Sequence, residues 1–406
     1  MNRENLPLKK VIIVGGGMAG LTCATELSRR FNGQDITVIE RLQRVGKKIL
    51  STGNGQCNLT NENLSLSNYH GLSVDFTKFA LENYGKQSLI DFFEKLGVKI
   101  INDNGKYYPQ SKQASSVLDA LRFYLTYKNV EIFTEEKVVD ITKTKNFCVT
   151  TDKGNKYYAE NVIIAVGGKS AKHLGTDGTS YNLLEKFGHK VTKLYPSLVQ
   201  LKCSTQEIKG LKGLKAQVSL YAKTDSVVSP NFKGELLFTD YGISGNAVFS
   251  VSSYVAGQSS AKVYVDFCPN MNSEELKLFI SNKIKNCPYL TYENLLSGVL
   301  PNKIALRLVI NCGFKPDETV NLSCVDRVTK VVKTTVYTIT GDTGFDNSQV
   351  THGGVLTCDF NDKTMQSKLV SGLYAVGEVL DIDGDCGGYN LQWAYSSAMT
   401  ASKDIK

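Results

Sequence analysis

Three features organise the sequence. It opens with an apolar strand, a glycine-rich turn, a helix and a second strand. Another apolar strand runs into paired glycines at 161–168, and the stretch from about 191 to 340 alternates apolar and polar residues. Together they predict an α/β protein in which a Rossmann-type domain carries an inserted, mainly antiparallel β domain. A small helical sub-domain is expected within the insert, at about 270–320.

Lys9 to Val14 reads as a buried strand, Ala19 to Arg30 as a helix and Asp35 to Glu40 as the second strand. A βαβ unit of this kind needs a parallel sheet covered by helices. Apolar residues recur at helical spacing from about Thr77 to Leu96 and from Ser115 to Tyr127. Short strands are predicted at 130–133, 138–141 and 147–150, then a buried one at 161–166. In the insert, 216–222 and 262–267 read as strands, and 273–285 and 303–312 as helices. A last strand at 372–376 and a helix from Asn390 to Lys403 close the chain. The predicted Rossmann-type domain is therefore discontinuous, 1–190 with 341–406, around an insert at 191–340 that is expected to lie on the substrate side.

A chain of 406 residues is long enough for two or three domains. Its net charge of +8, from 47 basic and 39 acidic residues, is scattered and includes no basic run interleaved with aromatics. The expected partner is a small molecule, not nucleic acid or a membrane, and the oligomeric state is left open. The ten cysteines include no C-x-x-C pair, which argues against zinc or a redox dithiol. No metal site is predicted. Reduced thiols and the lack of an 18-residue apolar run fit a cytoplasmic protein.

The motif richest in chemistry is Gly15-Gly16-Gly17-Met18-Ala19-Gly20, set between strand and helix. In a G-x-G-x-x-G of this kind Gly15 permits the tight turn. Gly17 lets backbone approach a pyrophosphate at the helix N-terminus, and Gly20 allows close packing. Glu40 ends the second strand about 20 residues after Gly20, where a ribose-binding carboxylate belongs. This fingerprint does not choose between nicotinamide and flavin dinucleotides. Residues 44–61, RVGKKILSTGNGQCNLTN, could wrap a ribityl chain and flavin edge.

These segments, with 165–189, FTDYGISGNA at 238–247, THGGV at 351–355 and 363–398, resemble the bacterial NAD(P)/FAD-dependent oxidoreductases of the aminoacetone oxidase family. That family includes reductases of bile-acid enones. The chain departs from its pattern at Ala398, where glycine is usual, and at Gln56, where arginine is usual. The resemblance implies a glutathione-reductase-like FAD-binding domain. Its cofactor contacts would come from Gly15, Gly17, Met18, Ala19, Gly20, Glu40, Arg41, Lys48, Asn54, Gly55, Cys57, Asn58, Val138, Gly167, Gly168, Gly377, Glu378, Gly388, Asn390 and Leu391. Within that set, Val138 would pass adenine by its backbone, and the turn at 387–391 would face the flavin pyrimidine.

His352, in the Thr351–Gly354 turn, and Tyr389, between Gly388 and Asn390, are the candidate proton donors. Each also has a plain structural reading, as a solvated histidine and a packed tyrosine. Cys57 is read as a buried, unreactive thiol. The expected reaction is reduction of an activated C=C bond with hydride from NADH or NADPH passed through FAD. The alternatives are oxidation of a small amine such as aminoacetone, with release of hydrogen peroxide, and a flavin protein that acts on RNA.

Overall fold

The computed structural model describes residues 8–258 and 260–406, and the chain divides into two compact units, Met1–Tyr195 with Val350–Lys406, and Pro196–Gln349. In the first unit, β1 (Lys9–Val14) lies between two parallel partners, β2 (Ile36–Ile39) and the long strand Lys156–Ile164. Val11, Ile12 and Ile13 are fully buried, as a strand covered on both faces requires. Glu131–Phe133 extends the sheet in parallel beyond β2.

The strand Lys156–Ile164 changes partners along its length. Its first half, to Ala159, pairs antiparallel with Phe147–Thr151, which in turn pairs with Val138–Lys143. Its second half, Val162 to Ile164, pairs in parallel with Leu373–Ala375. The end of the chain thereby returns to the sheet its beginning started. Between β1 and β2, the helix α1 (Met18–Leu27) is buried along its whole length. The C-terminal helix Tyr389–Asp404 packs against it.

The helix expected over 77–96 is two helices, Lys78–Asn83 and Lys86–Lys95. Tyr84 leaves helical geometry (φ −129°, ψ 47°), and a Cβ on Gly85 would stand 2.6 Å from the Leu81 carbonyl oxygen. The apolar spacing continues across the break, so periodicity alone conceals it.

The second unit holds a closed antiparallel barrel of six strands. In order they are Leu201–Cys203, Gly242–Ser244, Phe232–Phe238, Lys215–Thr224, Ala261–Asp266 and Thr335–Asp342, the last pairing with the first. Closure removes the free edges an open sheet would expose. Helices Ser273–Asn286, Asn302–Asn311 and Val325–Lys333 share an apolar core with it through residues such as Leu276, Leu308 and Val328. Asn246–Val255, which no sequence signal marked, packs on the barrel strands. Among the described residues no helix is long and apolar enough to cross a membrane, and no acidic, histidine or cysteine cluster could hold a metal ion. All ten cysteines are free thiols.

Candidate dinucleotide site and proton donor

At the end of β1 the chain turns on Gly15, whose φ of +106° is a backbone conformation that L side chains rarely adopt. A Cβ there would stand 2.4 Å from the Ala165 carbonyl oxygen, and one on Gly20 would stand 1.9 Å from that of Gly15. Gly17 is different. It has φ −81°, and a Cβ on it would meet nothing within 4 Å. Open space therefore faces the first turn of α1, where Met18 and Ala19 begin a helix with no side-chain cap and no acidic residue. The partial positive charge there is available to an anion.

Glu40 closes this turn. One carboxylate oxygen accepts a hydrogen bond from the Gly16 N–H and the other from the Leu42 N–H, each at 2.8 Å. Burial raises its pKa against those two bonds and the Arg41 charge. An ionised carboxylate accepts about four hydrogen bonds, so positions remain for a ribose diol. Gly15, Glu40, Arg41, Val138, Gly167, Gly168, Asp177 and Tyr181 line one cleft.

Arg41 pairs with Asp177 across the cleft lining at 2.8 Å. Burial works to raise the Asp177 pKa, but the Arg41 hydrogen bond and charge, with the Thr179 hydroxyl and N–H, hold the carboxyl well below its usual range. The Tyr181 hydroxyl is buried and, among the described residues, has no hydrogen-bond partner.

The segment predicted to wrap a cofactor has an unusual backbone: Gly53, Asn54, Gly55 and Cys57 all have φ between +55° and +82°. Cys57 is fully buried, and burial pushes its thiol up to about 12, so it is held as a neutral, inert thiol. Next to it, Asn58 has a buried carbonyl oxygen without a partner among the described residues. Lys48 is not a free cation: it pairs with Glu378 at 3.1 Å, while Glu378 also accepts from the Thr351 N–H at 3.0 Å. A Cβ on Gly168 would stand 2.5 Å from both the Glu378 carboxylate and the Thr351 hydroxyl. Residues 48, 168, 351 and 378 thus form one interlocked cluster.

At the start of the C-terminal helix, Gly388 (φ +100°) is the N-cap, and a Cβ on it would stand 2.8 Å from Thr60 backbone. The Asn390 side chain is committed to Gly384, accepting its N–H at 2.8 Å and donating to its carbonyl at 2.7 Å. What Asn390 and the half-buried Leu391 can offer a ligand is the backbone of the helix's first turn. Gly377 donates its N–H to the Ser397 hydroxyl and accepts from the Trp393 indole. Tyr389 is packed: it is buried, edge-on to Tyr69, with its hydroxyl donating to the Asn63 carbonyl. Burial first, then Asp385 and Cys386, pushes the phenol up to about 12.

His352 is held differently. Its Nδ1 lies 2.8 Å from a carboxylate oxygen of Asp383, a residue with no exposed surface. Burial lowers the imidazole pKa, but the hydrogen bond to Asp383 and the charges of Asp383 and Asp381 outweigh it and leave the ring more basic than usual. Sequence reading missed Asp383, Arg41's partner Asp177, and Tyr181. For Asp383 a signal existed: the alternation Asp-Ile-Asp-Gly-Asp at 381–385 places carboxylates at every second position of an extended segment.

A glycine cradle with open space before a helix N-terminus, a carboxylate with accepting positions to spare, and orphaned oxygens on Asn58 and Tyr181 fit a dinucleotide. The family of the HI0933-like protein Rossmann domain matches residues 9–404. The chain belongs to that family. This HI0933-like chain is 36% identical over 405 residues to 3-dehydro-bile acid delta(4,6)-reductase of Clostridium scindens, with 98% of each chain covered. It is 32% identical over 404 residues to ribosomal RNA dihydrouridine synthase of Haemophilus influenzae, covering 97% of this chain and 98% of that one. Among solved structures, 3-ketosteroid delta1-dehydrogenase of Sterolibacterium denitrificans aligns over 98% of this chain and 99% of its own at 12% identity and a TM-score of 0.51. That last likeness concerns the fold, an α/β Rossmann architecture with antiparallel additions, as the sequence predicts.

Proposed function

We propose that this protein is an FAD-dependent oxidoreductase that saturates a C=C bond conjugated to a carbonyl in a small molecule. The carrying observation is the match, across 98% of both chains, to a protein named as a bile-acid delta(4,6)-reductase. The ribosomal RNA relative is consistent with the reaction type, though not with a small substrate, because dihydrouridine is uridine with the double bond next to a ring carbonyl saturated.

The glycine turn at 15–20 and the N-terminus of α1 would hold the pyrophosphate, Glu40 the adenosine ribose and Val138 the adenine. Segments 54–58 and 388–391 would hold the flavin end. When bound, FAD would supply hydride to the far carbon of the conjugated system, with NADH or NADPH as its source. His352 delivers the balancing proton from Nε2, and solvent restores it. Tyr389, packed with its hydroxyl engaged, supports the pocket instead.

The two relatives favour different substrates, and the relative named for ribosomal RNA keeps that RNA as the second reading. Anaerobic stopped-flow on the yellow holoenzyme decides between them. NADH or NADPH should bleach the flavin, and a steroid 4-en-3-one should restore its colour. Recovery with an rRNA fragment and not with the enone would move the assignment to RNA. Bleaching by aminoacetone, with peroxide formed in air, would replace both with an amine oxidase.

A further inference from the structure

Two histidine–carboxylate pairs are held by one short strand, Asp383–Gly384, and the residue that follows it. His352 Nδ1 meets Asp383 at 2.8 Å, and His70 Nε2 meets Asp385 at 2.8 Å. Asp383–Gly384 pairs antiparallel with Tyr69–His70. Asp385 also accepts from the Asn68 side-chain amide at 3.2 Å, and its N–H donates to the Asn68 carbonyl. Asp381 accepts from the Leu72 N–H at 3.1 Å. All three aspartates are buried, with exposures of 3%, 0% and 6% in order. Contacts on both sides of Asp383 therefore fix the strand that carries it, while the His352 side chain is 28% exposed.

From this geometry, and resting on the reductase reading, we infer that Asp383 is a positioning residue that holds His352 as the Nδ1–H tautomer, so that Nε2 is the atom that carries the proton to substrate. An ionised carboxylate can only accept, so Nδ1 must donate to it. The neutral ring is then bare at Nε2, and the cation bears its exchangeable proton there. His70 presents the opposite nitrogen, Nε2, to Asp385, and in this scheme serves as a strap on the strand. The groups facing His352 are Asp383, at hydrogen-bond distance, and Asp381. Asp381 is itself pushed up by burial, against the Leu72 N–H and the His352 charge.

The pH sign follows. A proton donor held more basic than a free imidazole is charged at low pH, and its activity falls as pH rises through the elevated folded pKa. Removing the Asp383 charge moves that fall to lower pH.

The test uses holoenzyme carrying ¹⁵N-histidine, in which only four histidines contribute signals; H352Q identifies the resonance. The expected wild-type result is a neutral His352 protonated at Nδ1 and titrating above a free histidine. In D383N the titration should move to lower pH, and proton transfer to an enone should slow by at least about tenfold, a part of the roughly 10²- to 10⁴-fold a general acid contributes in full. H70Q should leave the His352 tautomer as it is. A wild-type His352 protonated at Nε2 overturns the inference whether or not D383N folds, and so does a titration that does not move in a folded D383N. The stated tautomer in a protein that no conjugated carbonyl reoxidises upholds the role of Asp383 and overturns the reaction instead.

Discussion

Gly15 and Gly17 stand two residues apart and should answer a single added methyl in opposite ways. At Gly15 the backbone lies at φ +106° with a carbonyl oxygen 2.4 Å from the new atom. G15A is expected to destabilise the protein by about 1–3 kcal/mol, the typical cost of a strained backbone position. At Gly17 the methyl meets nothing, so G17A should melt within about 0.5 kcal/mol of wild type when stripped of cofactor. It should nevertheless retain FAD poorly, because the methyl occupies the approach to the helix N-terminus. Melting curves with and without FAD check both; a G17A protein that holds FAD normally would place the pyrophosphate elsewhere. The fingerprint and Glu40 were legible because their spacing is local. Asp383, Asp177 and Tyr181 were not, since each matters through a partner or cleft assembled from distant segments.

At the scale of elements, the helix Ser273–Asn286 starts with a reciprocal cap. Asn272 accepts from the Glu275 N–H at 2.9 Å, and Glu275 accepts from the Asn272 N–H at 2.7 Å. N272A should cost about 1 kcal/mol, read as a lower denaturation midpoint with unchanged FAD content, since this helix lies in the second unit. A loss of FAD would contradict the assignment of the dinucleotide to the first. This helix and that at 302–311 were readable from their apolar period. The helix Asn246–Val255 was not: its Val-Phe-Ser-Val-Ser-Ser-Tyr-Val run reads equally well as strand, and tertiary packing decided it. Barrel closure was likewise hidden, because alternation reports a half-buried strand and not which strand lies beside it.

For the whole molecule, every residue proposed to hold the cofactor lies in the unit formed by Met1–Tyr195 and Val350–Lys406. Within the other unit, near its ends, the Gln349 N–H donates to the Leu198 carbonyl at 3.2 Å, and the Thr343 N–H to the Gln200 carbonyl at 3.2 Å. The gap left by removing 196–349 is therefore short, and a Gly/Ser linker of about four residues should span it. The excised protein is expected to be yellow, with its flavin still reduced by dithionite. A colourless but folded product would mean that the insert contributes to cofactor binding.

The complete burial of Asp383 also bears on ionic strength. Mobile counter-ions at about 0.1 M screen charges over roughly 10 Å of water, but they do not reach the Asp383 carboxylate, which has no exposed surface, and meet only the part-exposed His352 ring. The elevated basicity of His352 should therefore fall less in salt than the Arg41–Asp177 pair, which is partly exposed at both partners, weakens. A halide titration would separate the two: dinucleotide retention should loosen while the alkaline limb of the activity profile moves less.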